Sequence, residues 1–163
     1  MSYVISPADE CHFVGLHRAI DVVAREEKFL AFTQAPPLEQ SVAFYRSLRN
    51  SGAPHFVALN GSEVVGWVDV SPCMGETRAH IGVLGIALLP SARHKGLGAQ
   101  LMQAAIDRSW AAGLSRLELT VRDDNISARA LYERFGFEVE GILRRGNLVA
   151  GQYHDVVAMA LLR

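Results

Sequence analysis

Cysteine is scarce in this sequence, and neither sign of charge predominates. Two cysteines, Cys11 and Cys73, occur among 163 residues, and no C-x-x-C pair is present. A disulfide framework is therefore not indicated, and we expect two reduced thiols in a cytoplasmic protein, packed as small buried hydrophobic side chains. The 16 Lys and Arg residues nearly balance the 17 Asp and Glu residues, so the chain as a whole does not attract nucleic acid or an anionic membrane. Any cationic site must therefore be local.

Long apolar runs are also missing. The stretch IGVLGIALLP, residues 81–90, has the length of a strand, and no run reaches the ~18 residues that a membrane-spanning helix needs. The first ten residues carry neither a basic start nor an apolar core, so we expect no secretory signal. His12 and His17 are off the spacing of a helical ligand pair and no H-E-x-x-H string occurs, so we expect no metal site. The scattered basic residues argue against a nucleic-acid partner.

The composition that remains is that of one globular domain. The hydrophobic fraction is 50% and the charged fraction 20%, so we expect a single domain over residues 1–163. Periodicity predicts a strand, two helices, three strands, a helix, a strand, a helix and two strands. The first helix is predicted to begin at Ser6–Pro7, and a hairpin turn is predicted at Asn60–Gly61. This order indicates an α/β or α+β domain around a largely antiparallel sheet.

The segment PSARHKGLGAQL, residues 90–101, combines three basic side chains with two glycines between a strand and a helix. Glycine lets the backbone approach a ligand, and the first turn of a helix offers unpaired N–H groups at the positive end of its dipole. This combination suits a phosphate or pyrophosphate. A solvated basic turn is one alternative. A dinucleotide fingerprint is another, with Glu118 at the ribose distance, although Leu101 stands where its third glycine belongs.

Two motifs in this chain resemble those of the GNAT (GCN5-related) N-acetyltransferase family. The first is IALLPSARHKGLG, residues 86–98, with the pattern hydrophobic-x-hydrophobic-x-Pro followed by [R/Q]-x-x-G-x-[G/A]. The second is NISARALYERFGF, residues 125–137, which matches N-x-x-A-x-x-L-Y-x-x-x-G-F at every fixed position. Residues 140–162 look like the bacterial branch that acetylates small amines, amino acids or ribosomal protein N-termini. The resemblance implies a mixed, mostly antiparallel sheet of about six to seven strands flanked by about four helices.

The resemblance also implies acetyl-CoA as cosubstrate, with no metal, and assigns residues to it. The central strand is expected to splay from its neighbour and to hold the pantetheine arm and the acetyl carbonyl through backbone N–H groups. The pyrophosphate is expected on the following loop, mainly through its amides. Asn125 would contact the CoA arm, or act only as a helix cap. The positions assigned to the strand and loop are Ile86, Ala87, Leu88, Arg93, His94, Lys95, Gly96, Leu97 and Gly98.

For the chemistry, the resemblance assigns Tyr132 as the general acid that protonates the leaving thiolate; the alternative is a core aromatic. The base is less defined, because Thr120 stands where ribosomal-protein members of the family carry a glutamate. Glu118 lies on the same strand face two residues earlier and is a candidate base, beside His80, His154, Asp155 and a water chain. The acceptor site is expected from the first two helices, their connection and the last hairpin, where Phe29, Phe32 and Phe44 line it or belong to the core.

These expectations amount to acetyl transfer from acetyl-CoA to a primary amine by direct attack in a ternary complex. The acceptor is expected to be a free amino acid or other small amine. The alternatives are a protein N-terminal acetyltransferase of the ribosomal-protein type, an acyl-CoA-binding module without turnover, and a nucleotide-binding oxidoreductase. We expect a small-molecule partner, neither nucleic acid nor membrane, and a homodimer of the kind common in the family.

Overall fold

One mixed sheet organises the chain in the computed structural model, which describes residues 2–163. The strand order is β1-β2-β3-β4-β5-β7-β6, and every neighbouring pair is antiparallel except β4 with β5. This confirms the predicted order of elements and the mostly antiparallel sheet. The strands are β1 (Tyr3–Pro7), β2 (His55–Asn60), β3 (Glu63–Pro72), β4 (Ile81–Leu88), β5 (Arg116–Arg122), β6 (Glu138–Val149) and β7 (Gln152–Leu162).

Four helices cover the two faces of the sheet. Alternation along β3 explains the division, because Trp67 packs with α1 and α2 while Val68 and Val70 pack with α3 and α4. Each face therefore has its own apolar cluster. No helix within residues 2–163 is long and apolar enough to cross a membrane. The helices are α1 (Phe13–Ala24), α2 (Leu38–Ser51), α3 (Leu97–Ala111) and α4 (Ile126–Arg134).

The predicted start of the first helix at Ser6–Pro7 is wrong. Both residues belong to β1, where Ser6 pairs with Val57 of β2. The chain turns at Asp9 instead, whose carboxylate accepts the Glu10 N–H at 2.7 Å and caps a short 3₁₀ turn before α1. The cap signal was read too early because pairing with β2 holds Ser6 and Pro7 extended, and Pro is tolerated on such an edge strand.

Glycines in the left-handed region mark the ends of two helices and one hairpin turn. Gly52 ends α2 with φ 71°, and Gly136 follows α4 with φ 94°, both in the left-handed region that favours glycine. The hairpin at Asn60–Gly61 is confirmed, since Asn60 pairs with Glu63 and Gly61 has φ 62°. The last hairpin turns at Ala150–Gly151, so β6 extends further than the sequence indicated.

The two cysteines do not pack as expected. Cys11 is exposed in the 3₁₀ turn before α1, and Cys73 is partly exposed just after β3. The expectation that both are buried hydrophobic side chains is therefore wrong. Neither thiol is in a disulfide.

Candidate active site

A cleft opens in the middle of the sheet because β4 and β5 pair over only part of their length. The parallel ladder joins residues 81–83 of β4 to residues 116–118 of β5 and then stops. Beyond it, β4 continues to Leu88 and β5 to Arg122. On its other side β4 stays paired with β3 as far as Leu88, opposite Gly66. The backbone of β4 therefore presents an unpaired edge to the cleft, which is the splay expected from the resemblance.

Backbone N–H and C=O groups alternate in direction along β4, and this alternation decides which residues turn them toward the cleft. The Leu89 N–H donates to the Val65 carbonyl of β3 at 2.8 Å, and alternate residues of an antiparallel strand turn their backbone groups to the same side. Ala87 therefore faces β3, whereas the backbone groups of Ile86 and Leu88 face the cleft. Of the three residues assigned from the sequence, Ile86 and Leu88 are placed to donate N–H groups, and Ala87 is not.

The loop after β4 presents a run of backbone amides. His94 has φ 61° and Gly96 has φ 78°, both in the left-handed region, and Gly96 stands at the N-cap of α3 without a side-chain cap. Within the described chain, the backbone N–H groups of residues 94–99 have no hydrogen-bond partner. A cluster of unpaired amides at the positive end of a helix dipole is an anion-binding arrangement.

Packing explains the residue types at two positions of the segment 90–101. A Cβ built on Gly98 would lie 3.2 Å from Cδ2 of Leu131, so the glycine lets the start of α3 approach α4 closely. Leu101 is completely buried in the core between α3 and the sheet. A glycine at that position, as the dinucleotide fingerprint requires, would leave a cavity there.

The basic side chains of the loop are not gathered on one point. Arg93 makes two hydrogen bonds to the Glu26 carboxylate, at 2.9 and 2.6 Å, and donates from Nε to the Leu88 carbonyl at 3.1 Å. Its guanidinium also lies 4.7 Å from the centroid of the Phe29 ring. Arg93 therefore joins the loop to the connection between α1 and α2, and its charge is paired with that of Glu26. His94 and Lys95 are exposed, as expected.

The second motif forms α4 on the face that carries the loop. The Asn125 Oδ1 accepts the Ala128 N–H at 3.3 Å, so this residue caps α4 and keeps its amide nitrogen available. Tyr132 belongs to the apolar cluster that also contains Ile86 and Leu88, and its ring centroid is 6.1 Å from that of Phe137. Burial raises the pKa of Tyr132 to about 12, so its hydroxyl stays protonated at neutral pH.

The structure holds Glu118 away from the open part of the cleft. It lies in the paired part of β5, opposite Val83, and accepts a hydrogen bond from Nε of Arg116 at 2.9 Å. Arg116 also binds Glu140 on β6. Of the other candidate bases, His80 is exposed, Asp155 accepts the Arg145 N–H at 2.8 Å, and His154 lies beside Asp123 and Asp124. Glu118 therefore belongs to an ion-pair network with Arg116 and Glu140.

A cavity of about 450 Å³ lies on the other face of β4, enclosed by α1, the α1–α2 connection, α2 and the sheet. Phe32 and Phe44 line it, whereas Phe29 stacks on Arg93 instead. The last hairpin does not contribute to the lining. Two contacts fix the connection that forms the roof: His17 Nε2 donates to the Pro36 carbonyl at 2.8 Å, and Asp21 accepts the Ala35 N–H at 2.9 Å.

Asp69 was missed by sequence reasoning and lies in the wall of this cavity. It is directly opposite His55 on β2 and Gly85 on β4, so the three residues share one face of the sheet. Burial raises the pKa of Asp69 to about 7 and lowers that of His55 to about 4. A Cβ built on Gly85 would lie 3.8 Å from each carboxylate oxygen. Within residues 2–163, the carboxylate of Asp69 makes neither a hydrogen bond nor an ion pair.

One cluster has the composition of a metal site. Single ligand atoms of Asp123, Asp124 and His154 all lie within 4.8 Å of one another. Both carboxylates are exposed, and Asp124 is bound by Arg122 at 2.7 Å, so an ion pair already neutralises part of its charge. Exposed acidic groups of this kind are common on protein surfaces without a metal ion.

Comparison with known proteins agrees with this geometry. The chain is 28% identical over 142 residues to the L-amino acid N-acetyltransferase AaaT of Escherichia coli K12, covering 86% of this chain and 87% of the relative. Among solved structures, a GNAT-family acetyltransferase from Streptococcus pneumoniae superposes with a TM-score of 0.93 and 27% identity, covering 99% of this chain and all of that one.

The structure of yncA from Salmonella typhimurium, which contains its cofactor acetyl-CoA, superposes with a TM-score of 0.93. Its identity is 17%, covering 99% of this chain and 94% of that one, so it shows the shared fold alone. The profile described as the Acetyltransferase (GNAT) family matches residues 19–137, which is most of the sequence and includes both motifs. The chain therefore belongs to the GNAT acetyltransferase family.

Proposed function

We propose that this N-acetyltransferase moves the acetyl group of acetyl-CoA to the primary amine of a free amino acid or another small amine, by direct attack in a ternary complex. One observation carries the proposal: the cleft and the cavity meet at Gly85–Ile86. The backbone of Ile86 faces the cleft, and both residues line the cavity on the other face. A thioester held in the cleft and an amine held in the cavity would therefore come together at one point of β4.

On the donor side, binding relies mainly on backbone amides. The N–H groups of Ile86 and Leu88 would bind the pantetheine arm and the acetyl carbonyl, and the amides of residues 94–99 would bind the pyrophosphate; the open edge of β4 and the uncapped start of α3 support this assignment. The free amide nitrogen of Asn125 is available to the CoA arm. Amides fixed in a folded strand are already oriented toward a developing oxyanion, which is the most effective form of electrostatic stabilisation.

The reaction would proceed through a tetrahedral intermediate. The neutral amine nitrogen bonds to the thioester carbon, and the carbonyl oxygen becomes an oxyanion bound by an N–H of β4. The C–S bond then breaks, and Tyr132 gives its proton to the departing thiolate. Because burial raises the pKa of Tyr132 to about 12, its hydroxyl must regain a proton as it gives one up. The proton that leaves the new amide nitrogen supplies it through solvent.

The acceptor class is supported by similarity and by shape. AaaT, which matches most of this chain, is named for L-amino acids. The cavity volume of about 450 Å³ is within the usual range for small-molecule sites.

The test of this function is an acceptor screen that measures thiol release from acetyl-CoA. The panel contains free amino acids, polyamines, aminoglycosides and peptides with free N-termini. Turnover with amino acids or small amines supports the proposal, whereas turnover with peptides alone would make the chain a protein N-terminal acetyltransferase. Binding of acetyl-CoA without release of thiol from any amine would make it a binding module. Calorimetric binding of NAD in place of CoA would contradict the donor assignment.

Replacing Tyr132 with Phe tests the general acid. We expect Tyr132→Phe to lower kcat by about 10²-fold, because the thiolate loses its proton donor. The Kd for acetyl-CoA and the Tm should change little, because the ring still packs on Phe137. Tyr153→Phe, on the exposed hairpin, is the matched control. Wild-type kcat in Tyr132→Phe would leave the residue a core aromatic.

Replacing Gly96 with Ala tests whether the loop of residues 94–99 binds the pyrophosphate. Both Gly96 and Gly113 have left-handed φ, 78° and 90°, with open space around a built Cβ, so either Ala variant costs about 1–2 kcal/mol in backbone strain. Only Gly96→Ala disturbs the loop amides, and we expect it to weaken acetyl-CoA binding about tenfold, the loss of one hydrogen bond to a charged group. Calorimetry measures both variants. Equal Kd values would place the pyrophosphate elsewhere.

We also propose that the chain forms a homodimer through the outer edge of β6. This strand ends the sheet and exposes apolar side chains: Ile142 is 61% exposed, Leu148 60% and Leu143 51%. Sedimentation should show a dimer at micromolar concentration, and Ile142→Lys should shift it toward monomer. Val4→Lys, on the opposite edge strand, should leave the mass unchanged. A monomeric wild type would contradict the proposal.

A further inference from the structure

We propose that Asp69 receives the acceptor amine: its carboxylate binds the ammonium and removes the proton that blocks attack. This inference rests on the proposed acetyl transfer and names the base that the family motifs left undefined. Of the residues that line the cavity, Asp69 is the one that carries a carboxylate.

The position of Asp69 meets the geometric requirement for a base. It pairs across the sheet with Gly85, and the next residue of β4, Ile86, presents its backbone to the donor cleft. Because Gly85 has no side chain, the space above it stays open beside the carboxylate, with a built Cβ 3.8 Å from both oxygens. An amine seated on Asp69 would therefore lie beside the point where the thioester carbonyl is expected.

The groups around Asp69 do not neutralise its charge, so the carboxylate can pair with a cationic ligand. From β2 it faces His55, which is buried and neutral at pH 7 because burial lowers its pKa to about 4. From α2 it faces Tyr45, which is uncharged at neutral pH because burial raises its pKa to about 12. From α1 the lining residue is the apolar Ile20, and β4 contributes Gly85. A carboxylate in such a wall is stabilised when a cation enters.

The proton balance follows from these groups. The ammonium R–NH₃⁺ gives one proton to the Asp69 carboxylate, which becomes a carboxylic acid, and the neutral amine attacks the thioester carbon. The carboxylic acid later releases that proton to solvent, which is the one proton that the whole reaction liberates at neutral pH. Burial raises the pKa of Asp69 to about 7, which is the range that suits a general base.

The side chains that line the cavity indicate the chemistry of the rest of the acceptor molecule. Phe32, Phe44 and Trp67 line the cavity around the carboxylate, so an apolar body fits with its amine directed at Asp69. Acceptors with a charged amine on an apolar alkyl or aryl body are therefore the matched chemistry. The expected order within the acceptor screen is apolar amines and apolar amino acids above polyamines and aminoglycosides.

The experiment compares Asp69→Asn with the wild type on two acceptors: the best alkylamine from the screen, which is charged at the assay pH, and an arylamine such as aniline, which is already neutral. We expect Asp69→Asn to lower kcat/KM for the alkylamine by about 10²-fold and to leave the arylamine nearly unchanged, because a neutral amine has no proton to remove. The wild-type kcat/KM for the alkylamine should rise with pH through about 7, and the variant should lose this rise.

Stability and donor affinity separate this role from a structural one. The folded pKa of Asp69 is raised above the ordinary 3.8, so its contribution to stability falls as pH rises from about 4 to about 7. Asp69→Asn removes a charge that the fold buries at a cost, so its Tm at pH 8 should equal or exceed that of the wild type. The Kd for acetyl-CoA should not change, and Asp107→Asn on the exposed side of α3 should behave as wild type.

The outcomes that overturn the proposal are distinct from failure of the proposed function. A wild type that releases thiol with no amine removes the function and this inference with it. If the wild type is active and Asp69→Asn keeps the wild-type pH profile, Asp69 is not the base, while the proposed acetyl transfer still stands. The same result follows if Glu118→Gln loses the pH-dependent rise instead, or if Asp69→Asn loses the alkylamine and the arylamine equally.

Discussion

β4 and β5 stop pairing after Val83 and Glu118, and the rest of the site depends on that interruption. A parallel ladder carried to the ends of both strands would consume the backbone groups of Ile86 and Leu88. The cleft exists because β4 keeps its bonds to β3 on one side while its other edge is left open. The helices on both faces hold the strands in this arrangement, with separate apolar clusters under α1–α2 and α3–α4.

The near neutrality of the chain is consistent with how the site is built. The loop of residues 94–99, which we propose binds the donor, offers backbone amides, which carry partial charge without adding to the net charge. The charge of Arg93 in this loop is neutralised by Glu26. The acceptor side likewise holds one carboxylate beside a neutral His55. Besides Asp69, the polar side chains Gln40, Ser41, Tyr45 and His55 that line the cavity are uncharged at neutral pH.

Local features of the site could be read from the sequence, and partnerships between distant segments could not. The donor loop, the cap at Asn125 and the turn at Gly136 are set within a few residues of chain, and all of them lie within the two motifs. Asp69 was overlooked because a polar residue at alternate positions of a strand ordinarily faces solvent. Only the folding of α1 and α2 over that face turns it into a half-buried carboxylate.

Arg93 belongs to the donor motif by sequence and to the acceptor roof by contact. Its partner Glu26 is 67 residues away, and the ring beneath its guanidinium, Phe29, immediately precedes the residues that roof the cavity. The loop and the roof therefore share one side chain. A ligand on either side that moved Arg93 or Glu26 would change the contacts of the other segment, which is the condition under which two sites become linked.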